Sequence, residues 1–430
     1  VRGAALLALL LAGAPALAED FTPPQAKNQR PLRDVTYVRT PERLARGRVL
    51  TEGLLQCFLC HSDRDWSMRG APPIKRLKGA GHVWWEEKDG TRLVAPNITP
   101  DRETGAGRWT DDMLQRAIRE GVGHDGRPLH PQMWWMAFRN LSDEDVASVI
   151  VALRALPPVK RKLPPTRLTP KRYEELQRNP LMSPLEEKIY GPDPKDRLAY
   201  GKYLLMSADC QGCHTAFEAP LNPGFFGGGN HIEFFETVPG KKREVFSRNI
   251  TPDPSGIPYY DDALFIEAMR TGKVRARELD PIMPWIAYGR LPDAELLAMF
   301  AYLKTIPKVA HVVDKAEAES PCAMCGQVHG GGKYNKPKNA GAIPIDAATA
   351  ASIRGTYRFE DGFVIEIKTE KGQLLAGLPG EKGSEIFTKD GKLFLAMSQV
   401  SALVFVRDGS GQVTGCVDHG FFGLKGTKVK

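Results

Sequence analysis

Residues 57–61 read Cys57-Phe58-Leu59-Cys60-His61, and residues 210–214 read Cys210-Gln211-Gly212-Cys213-His214. Both match Cys-x-x-Cys-His, in which two thiols form thioether bonds to one haem and the next histidine coordinates its iron. A lone Cys-x-x-Cys also serves as a redox disulfide or as half of a zinc site. Two copies, each followed by histidine, point to haem. The sequence therefore predicts two covalently bound haem c groups, held by Cys57, Cys60, Cys210 and Cys213, with His61 and His214 on the irons.

Working outward from the two motifs, further landmarks pair up. Asn97-Ile98-Thr99-Pro100-Asp101 recurs as Asn249-Ile250-Thr251-Pro252-Asp253, and the stretch His130-Pro-Gln-Met133-Trp-Trp matches Asp280-Pro-Ile-Met283-Pro-Trp. Each unit closes on an amphipathic helix that starts acidic and ends at proline, LSDEDVASVIVALRALPPV and LPDAELLAMFAYLKTIPKV. Four landmarks in the same order point to a duplicated domain. Helices over about 41–56 and 194–209 lead into the two haem motifs, and WTDDMLQRAIREG and YYDDALFIEAMRTG form helices stopped by glycine.

A sixth iron ligand has to come from far along the chain, and a thioether suits an electron carrier because it favours reduced iron and leaves no open site. Met133 and Met283 occupy matching places. Met283-Pro284 fits a loop that presents a side chain without continuing a helix. In the first unit Trp134 replaces that proline, and His130 and Met136 stand close enough to compete with Met133. The Asn-Ile-Thr-Pro-Asp runs read as turn chemistry shaping the loop at the haem edge. Trp84-Trp85 and Trp134-Trp135 read as pocket wall.

Of 430 residues, 59 are Lys or Arg and 51 Asp or Glu, for a formal charge of +8. Many of the cations lie in a Pro-rich stretch from Lys160 to Arg178, which reads either as a solvated linker or as a face that steers an acidic redox partner. Arg2, the apolar run Ala4–Ala12 and the small-x-small pattern of Ala16 and Ala18 predict a signal peptide cut after Ala18. That run is too short to span a bilayer, and no later stretch is long and apolar enough. The expectation is a periplasmic protein, with no nucleic-acid partner and no transmembrane segment in the mature chain.

Cys322-Ala-Met-Cys325-Gly326 lacks the histidine of a third motif. A local disulfide, a metal site with His329 and an eroded haem motif all fit. Cys416 stands alone unless it pairs with one of these two. From about Ala347 the pattern alternates and is punctuated by Asp-Gly and Lys-Gly turns, which predicts a small all-β domain with a role in docking or structural cover.

The order Cys-x-x-Cys-His, Asn-Ile-Thr-Pro-Asp, Met-Pro-Trp and acidic-start helix, from about Pro41 to Val309, resembles the cytochrome c subunits of membrane-bound bacterial dehydrogenases that oxidise alcohols, sugar acids or aldehydes. The resemblance implies cytochrome c domains with His/Met iron, relaying electrons from a dehydrogenase subunit to a respiratory acceptor. The resulting architecture is mainly α: two tandem class I-like cytochrome c domains followed by the small all-β domain. Its boundaries are a signal peptide at 1–18, cytochrome domains at 35–160 and 194–312, a basic linker at 161–193, a CxxC-containing Gly-rich linker at 313–346, and the β domain at 347–430. A dihaem enzyme of the peroxidase or thiosulfate dehydrogenase kind, with one haem catalytic, is the alternative.

Overall fold

The computed structural model describes residues 22–215, 224–235, 242–274, 277–311, 313, 320–321, 328–329, 342–360, 362–380, 383–388, 390–396, 401–418 and 424–429. The expected signal peptide, Cys322, Cys325 and most of the Gly-rich linker lie outside the described residues.

Around the first haem motif run α1 (Pro41–Val49), α2 (Cys57–Cys60), α3 (Asp111–Arg119), α4 (Trp135–Phe138) and α5 (Asp143–Arg154). A short α6 (Pro170–Gln177) follows, and then the same series recurs as α7 (Arg197–Ser207), α8 (Cys210–His214), α9 (Asp262–Thr271), α10 (Trp285–Tyr288) and α11 (Asp293–Leu303). The starts are written locally. Thr40, Thr110, Ser142, Asp196 and Asp261 each accept a hydrogen bond from a backbone N–H in the first turn of the helix that follows. The helices expected to run into the haem motifs stop short of them. α1 widens into a π turn at Leu50–Leu54, and Gln56 (φ 51°) and Asp209 (φ 54°) both adopt left-handed backbone immediately before the first cysteine.

In each unit the entry and closing helices cross at a glycine. A Cβ on Gly47 would lie 1.9 Å from the Ser148 carbonyl oxygen of α5, and one on Gly201 would lie 1.9 Å from that of Ala298 in α11. The backbones touch there, and the apolar cluster around the crossings is continuous through both units, from Leu50, Leu54 and Ile150 to Leu204, Leu296 and Phe300. Arg46 ties the units together. It donates to Asp145 of α5 at 2.8 Å and reaches Glu295 of α11, while Tyr200 and Tyr203 of α7 donate to Glu295 and Asp145 at 2.8 and 2.6 Å.

The stretch expected as a solvated basic linker lies folded against the first unit. Arg92 and Arg167 exchange both backbone hydrogen bonds, Tyr173 and Leu176 are buried, and Met182 packs with Trp135. Three of its cations are paired, Lys160 with Glu103, Arg161 with Asp63 and Arg172 with Glu175. Residues before Pro41 are anchored as well, because Arg30, itself 5% exposed, is held by Asp112 and Glu120 of the first unit.

The expectation of a mainly α chain is wrong. Helix accounts for 32% and strand for 18%. Two features of the sequence produce this. Long irregular segments and hairpins separate short helices, as at His82–Glu86 with Arg92–Ala95 and His231–Phe235 with Lys242–Phe246. The C-terminal sheet is also large. Nine antiparallel strands run in the order Ser384–Glu385, Gln373–Gly377, Val364–Glu370, Gly355–Phe359, Lys425–Lys428, Val413–Asp418, Ser401–Arg407, Leu393–Ala396 and Phe387–Thr388. The two outermost strands are separated only by Ile386, so the sheet curls into an eight-stranded near-barrel that protects its edges. Tyr357, Ile365, Phe394, Leu403 and Cys416 fill it, with Cys416 a free, buried thiol. Phe387 is buried in the cluster that continues from the helical core.

Candidate functional site

His61 and His214 follow their cysteines at the end of a single helical turn, so both imidazoles are placed by α2 and α8. The Nδ1–H of His61 donates to the Pro96 carbonyl at 2.8 Å, and that of His214 donates to the Arg248 carbonyl at 2.6 Å. A carbonyl only accepts, so the proton sits on Nδ1 and the Nε2 lone pair is left for a metal. Burial lowers both histidine pKa values, and the carbonyl contact opposes it only in part, which keeps the rings neutral.

Pro96 and Arg248 are the residues immediately before the two Asn-Ile-Thr-Pro-Asp runs. The Asn97 Oδ1 accepts from the Thr99 N–H and hydroxyl at 3.0 and 2.7 Å, its Nδ2 donates to the Val159 carbonyl at 2.8 Å, and the Val159 N–H donates to the Thr99 hydroxyl at 3.1 Å. Asn249, Thr251 and Val309 repeat every one of these contacts, at 2.9, 2.8, 2.7 and 3.2 Å. The motif thus fastens the histidine's carbonyl partner to the chain that leaves the closing helix. The turn is legible in the sequence, but its purpose is not.

The thiols are the wrong kind for disulfide chemistry. Burial pushes Cys57 up to about 12, Cys60 to about 11 and Cys213 to about 12, and raises Cys210 as well. Exchange cysteines need the opposite shift. All four are free in the structure.

In the first unit Cys57, Cys60, His61, Met133 and Trp134 all line one largely apolar cavity of about 1230 Å³, open solvent at its mouth included. His130 also lines it. So do residues that the sequence did not flag: His124, stacked on Trp109 with ring centroids 4.2 Å apart, and Thr166 and Leu168 from the supposed linker. Proximity of His124 to the motif had no signal in the chain, because a loop more than sixty residues downstream brings it there. Met136 points elsewhere, its sulfur accepting from Asn179 Nδ2 at 3.1 Å within the Trp135 cluster. Of the tryptophan pairs, Trp84 and Trp134 line the cavity, whereas Trp85 packs beside Leu168, Tyr173 and Leu176, and Trp135 lies against Gly121.

In the second unit Cys210 and Met283 pack on the same continuous apolar cluster as Cys57 and Met133. Residues 216–223, directly after the second motif, are outside the described residues. The donor set of each unit, two neutral thiols, a neutral imidazole with Nε2 available and a thioether, fits a covalently attached haem. Among the described residues no cluster of His, Cys, Asp and Glu is arranged to hold a metal ion by itself, and no helix is long and apolar enough to cross a membrane.

No family model matches the chain. It is 31% identical over 241 residues to a subunit of the nicotinate dehydrogenase of Pseudomonas putida, covering 53% of this chain and 19% of that protein. It is 29% identical over 339 residues to the fructose dehydrogenase cytochrome subunit of Gluconobacter japonicus, covering 75% and 61%. A dihaem cytochrome c-type protein of Cereibacter sphaeroides is 26% identical over 274 residues, covering 59% and 82%. The chain spans about a fifth of the first of these relatives and three fifths of the second. Its homologues are thus cytochrome c subunits of dehydrogenases and a dihaem cytochrome c, at modest identity over much of the chain, and they imply covalently bound haem c and an electron-transfer role.

Proposed function

We propose that this protein is a periplasmic dihaem c-type cytochrome, built by duplication of one domain, that carries single electrons from a dehydrogenase to a respiratory acceptor. One observation carries the reading. In both units a histidine following two half-buried, neutral thiols turns its Nδ1–H to the carbonyl before Asn-Ile-Thr-Pro-Asp, and a methionine from the matching loop packs on the same apolar core. Cys57, Cys60, His61 and Met133 would hold the first haem, and Cys210, Cys213, His214 and Met283 the second. Haem c bound there supplies a one-electron iron couple. The protein's part is to fix each imidazole tautomer, to close the opposite side with a thioether, and to exclude water with Trp84, Trp134 and the apolar walls. The near-barrel, packed on the helical core through Phe387, supplies a surface for docking a redox partner.

Haem content per chain by pyridine haemochrome, with spectra of the reduced protein under carbon monoxide, tests this. Two haems per chain and no carbon monoxide binding are expected. One or three haems would overturn the dihaem assignment, and ready binding of carbon monoxide by the wild-type protein would favour a dihaem enzyme instead.

A further inference from the structure

The two methionine loops are held by different parts of the chain. Residues 172–182 cover the loop bearing Met133: Arg172 Nη2 lies 3.3 Å from His130 Nε2, Asn179 binds Met136, and Met182 joins the Trp135 cluster. The loop bearing Met283 is held from the first unit, by residues that directly follow the first haem motif.

Arg64, three residues beyond His61 and half-buried, donates Nε to the Ala71 carbonyl at 2.8 Å and Nη2 to the carbonyls of Gly70 and Pro281, both at 3.3 Å. Its guanidinium therefore staples the turn 64–71 to a carbonyl two residues before Met283. Arg69 acts on the other side of that methionine. Its guanidinium lies 4.7 Å from the ring centroid of Trp285, two residues after Met283, and its Nε donates to Glu278 at 3.3 Å. Between the two arginines, Gly70 (φ +79°) presses its backbone onto the tryptophan: a Cβ there would stand 2.9 Å from Trp285 Cζ2 and 3.1 Å from Ile286 Cδ1. Inside its own unit the Met283 loop turns on Asp280, whose Oδ1 accepts from Ile282 N–H and whose carbonyl accepts from Met283 N–H, each at 3.0 Å, and is tied to the end of α9 by Leu279 N–H on the Gly272 carbonyl at 2.7 Å.

We propose that residues 64–71 of the first unit clamp the Met283 loop, with Arg64 and Arg69 as positioning residues, so that the sixth ligand of the second iron is held in place by the first unit. The inference rests on the reading that Met283 is that ligand. An iron–thioether bond is only as persistent as the loop that presents it, and here the loop's outer contacts are a charge-assisted hydrogen bond on one flank and a stacked cation on the other. The arrangement makes the second site's ligation, and through it its potential, sensitive to anything that displaces the turn following the first haem motif.

The test uses the secreted full-length holoprotein carrying Arg64→Ala with Arg69→Ala, compared with Met283→Ala and Met133→Ala. The double variant should lose near-infrared sulfur-to-iron intensity at lower temperature than wild type, and its reduced form should bind carbon monoxide about tenfold more readily, the scale of losing one hydrogen bond to a charged group. The lost intensity should add to that lost in Met133→Ala, which assigns it to the second site. Arg69→Ala alone removes a side chain that is 45% exposed and keeps the test alive if the double variant is not secreted, with the same change at smaller amplitude. If the arginine variants bind carbon monoxide no better than wild type while Met283→Ala does, the clamp is refuted and the ligand assignment stands. If Met283→Ala itself changes neither signal, the ligand assignment falls and takes the clamp with it.

Discussion

Gln56 Nε2 donates to the Tyr288 hydroxyl at 2.5 Å, and that hydroxyl donates to the Ala208 carbonyl at 2.8 Å. Gln56 immediately precedes Cys57, and Ala208 stands two residues before Cys210. One buried tyrosine thus joins the two haem motifs through a single oxygen. Burial holds that hydroxyl far above its ordinary pKa, so it stays a donor at all working pH values. Tyr288→Phe leaves the Gln56 amide and the Ala208 carbonyl unmatched in the interior, and should cost about 1–3 kcal/mol. Denaturant unfolding of the holoprotein measures it. A loss below a few tenths of a kcal/mol would mean that the bridge contributes nothing.

The helix crossings offer a second test. With carbonyl oxygens 1.9 Å from where a Cβ would sit, neither Gly47 nor Gly201 accepts even alanine without separating its helix pair. Gly47→Ala and Gly201→Ala should each destabilise the protein by about 1–3 kcal/mol or more, against the usual helix-propensity gain of alanine. Gly372, with no atom near its Cβ position but a φ of +80°, is the control for a purely conformational penalty. Thermal unfolding that ranks Gly47→Ala and Gly201→Ala no worse than Gly372→Ala would contradict the close approach.

How far is this legible in the chain? The haem motifs, the paired methionines and the helix caps are local, and spacing alone exposes them. The partners of His61 and His214 are hidden, because the carbonyl that matters belongs to the residue before a recurring turn and carries no side-chain signature. Thr166 and Leu168 are hidden for a related reason: Pro-rich, basic sequence reads as linker, yet backbone pairing of Arg167 with Arg92 lays it across the cavity. The mainly α reading fails although alternation from Ala347 exposes the C-terminal strands, because helical periodicity is conspicuous in short amphipathic stretches while the hairpins and long irregular segments between them carry no comparable period.

Arg30 gives a prediction whose sign depends on pH. It binds Asp112 through both Nη atoms at 2.7 Å and Glu120 through Nε at 3.0 Å, all three nearly or fully buried. Burial alone would raise the Asp112 pKa, but the Arg30 hydrogen bonds and the Arg33 N–H outweigh it and hold the carboxyl below its ordinary value. Its stabilising contribution is therefore present above the unfolded pKa and lost as pH falls through the lowered folded value. Glu120 shifts the other way, because burial outweighs Arg30, so its contribution weakens as pH rises through its raised value. Asp112→Asn should cost about 3–5 kcal/mol at neutral pH by leaving a buried guanidinium short of charge. Glu120→Gln should cost much less. Equal costs at pH 7 would show that the two carboxylates share Arg30 evenly.

The last prediction separates Met133 from its neighbours as sixth ligand of the first iron. Met136 is turned into the Trp135 cluster and does not line the cavity. His130 does line it, but Nδ1 faces the Gln132 N–H at 3.2 Å and Nε2 faces the Arg172 guanidinium at 3.3 Å, so both nitrogens already have neighbours. Burial and that guanidinium pull His130 down to about 4, so the ring is neutral and its one lone-pair nitrogen faces a donor in either tautomer, Gln132 N–H at Nδ1 or the Arg172 guanidinium at Nε2. The second unit carries Asp280 in the matching place before proline, so whatever His130 does is not common to both sites, while the methionine is. Met133→Ala should therefore remove the first haem's sulfur-to-iron band, lower its potential and let carbon monoxide bind the reduced form. His130→Ala should leave the band in place, and so should Met136→Ala. A band that survives Met133→Ala but disappears in His130→Ala or Met136→Ala would move the ligand to that neighbour. Carbon monoxide binding by the reduced wild-type protein at this haem would show a site without a firm sixth ligand, and the cavity that His124 and Trp109 share with Met133 would then be where a substrate meets the iron.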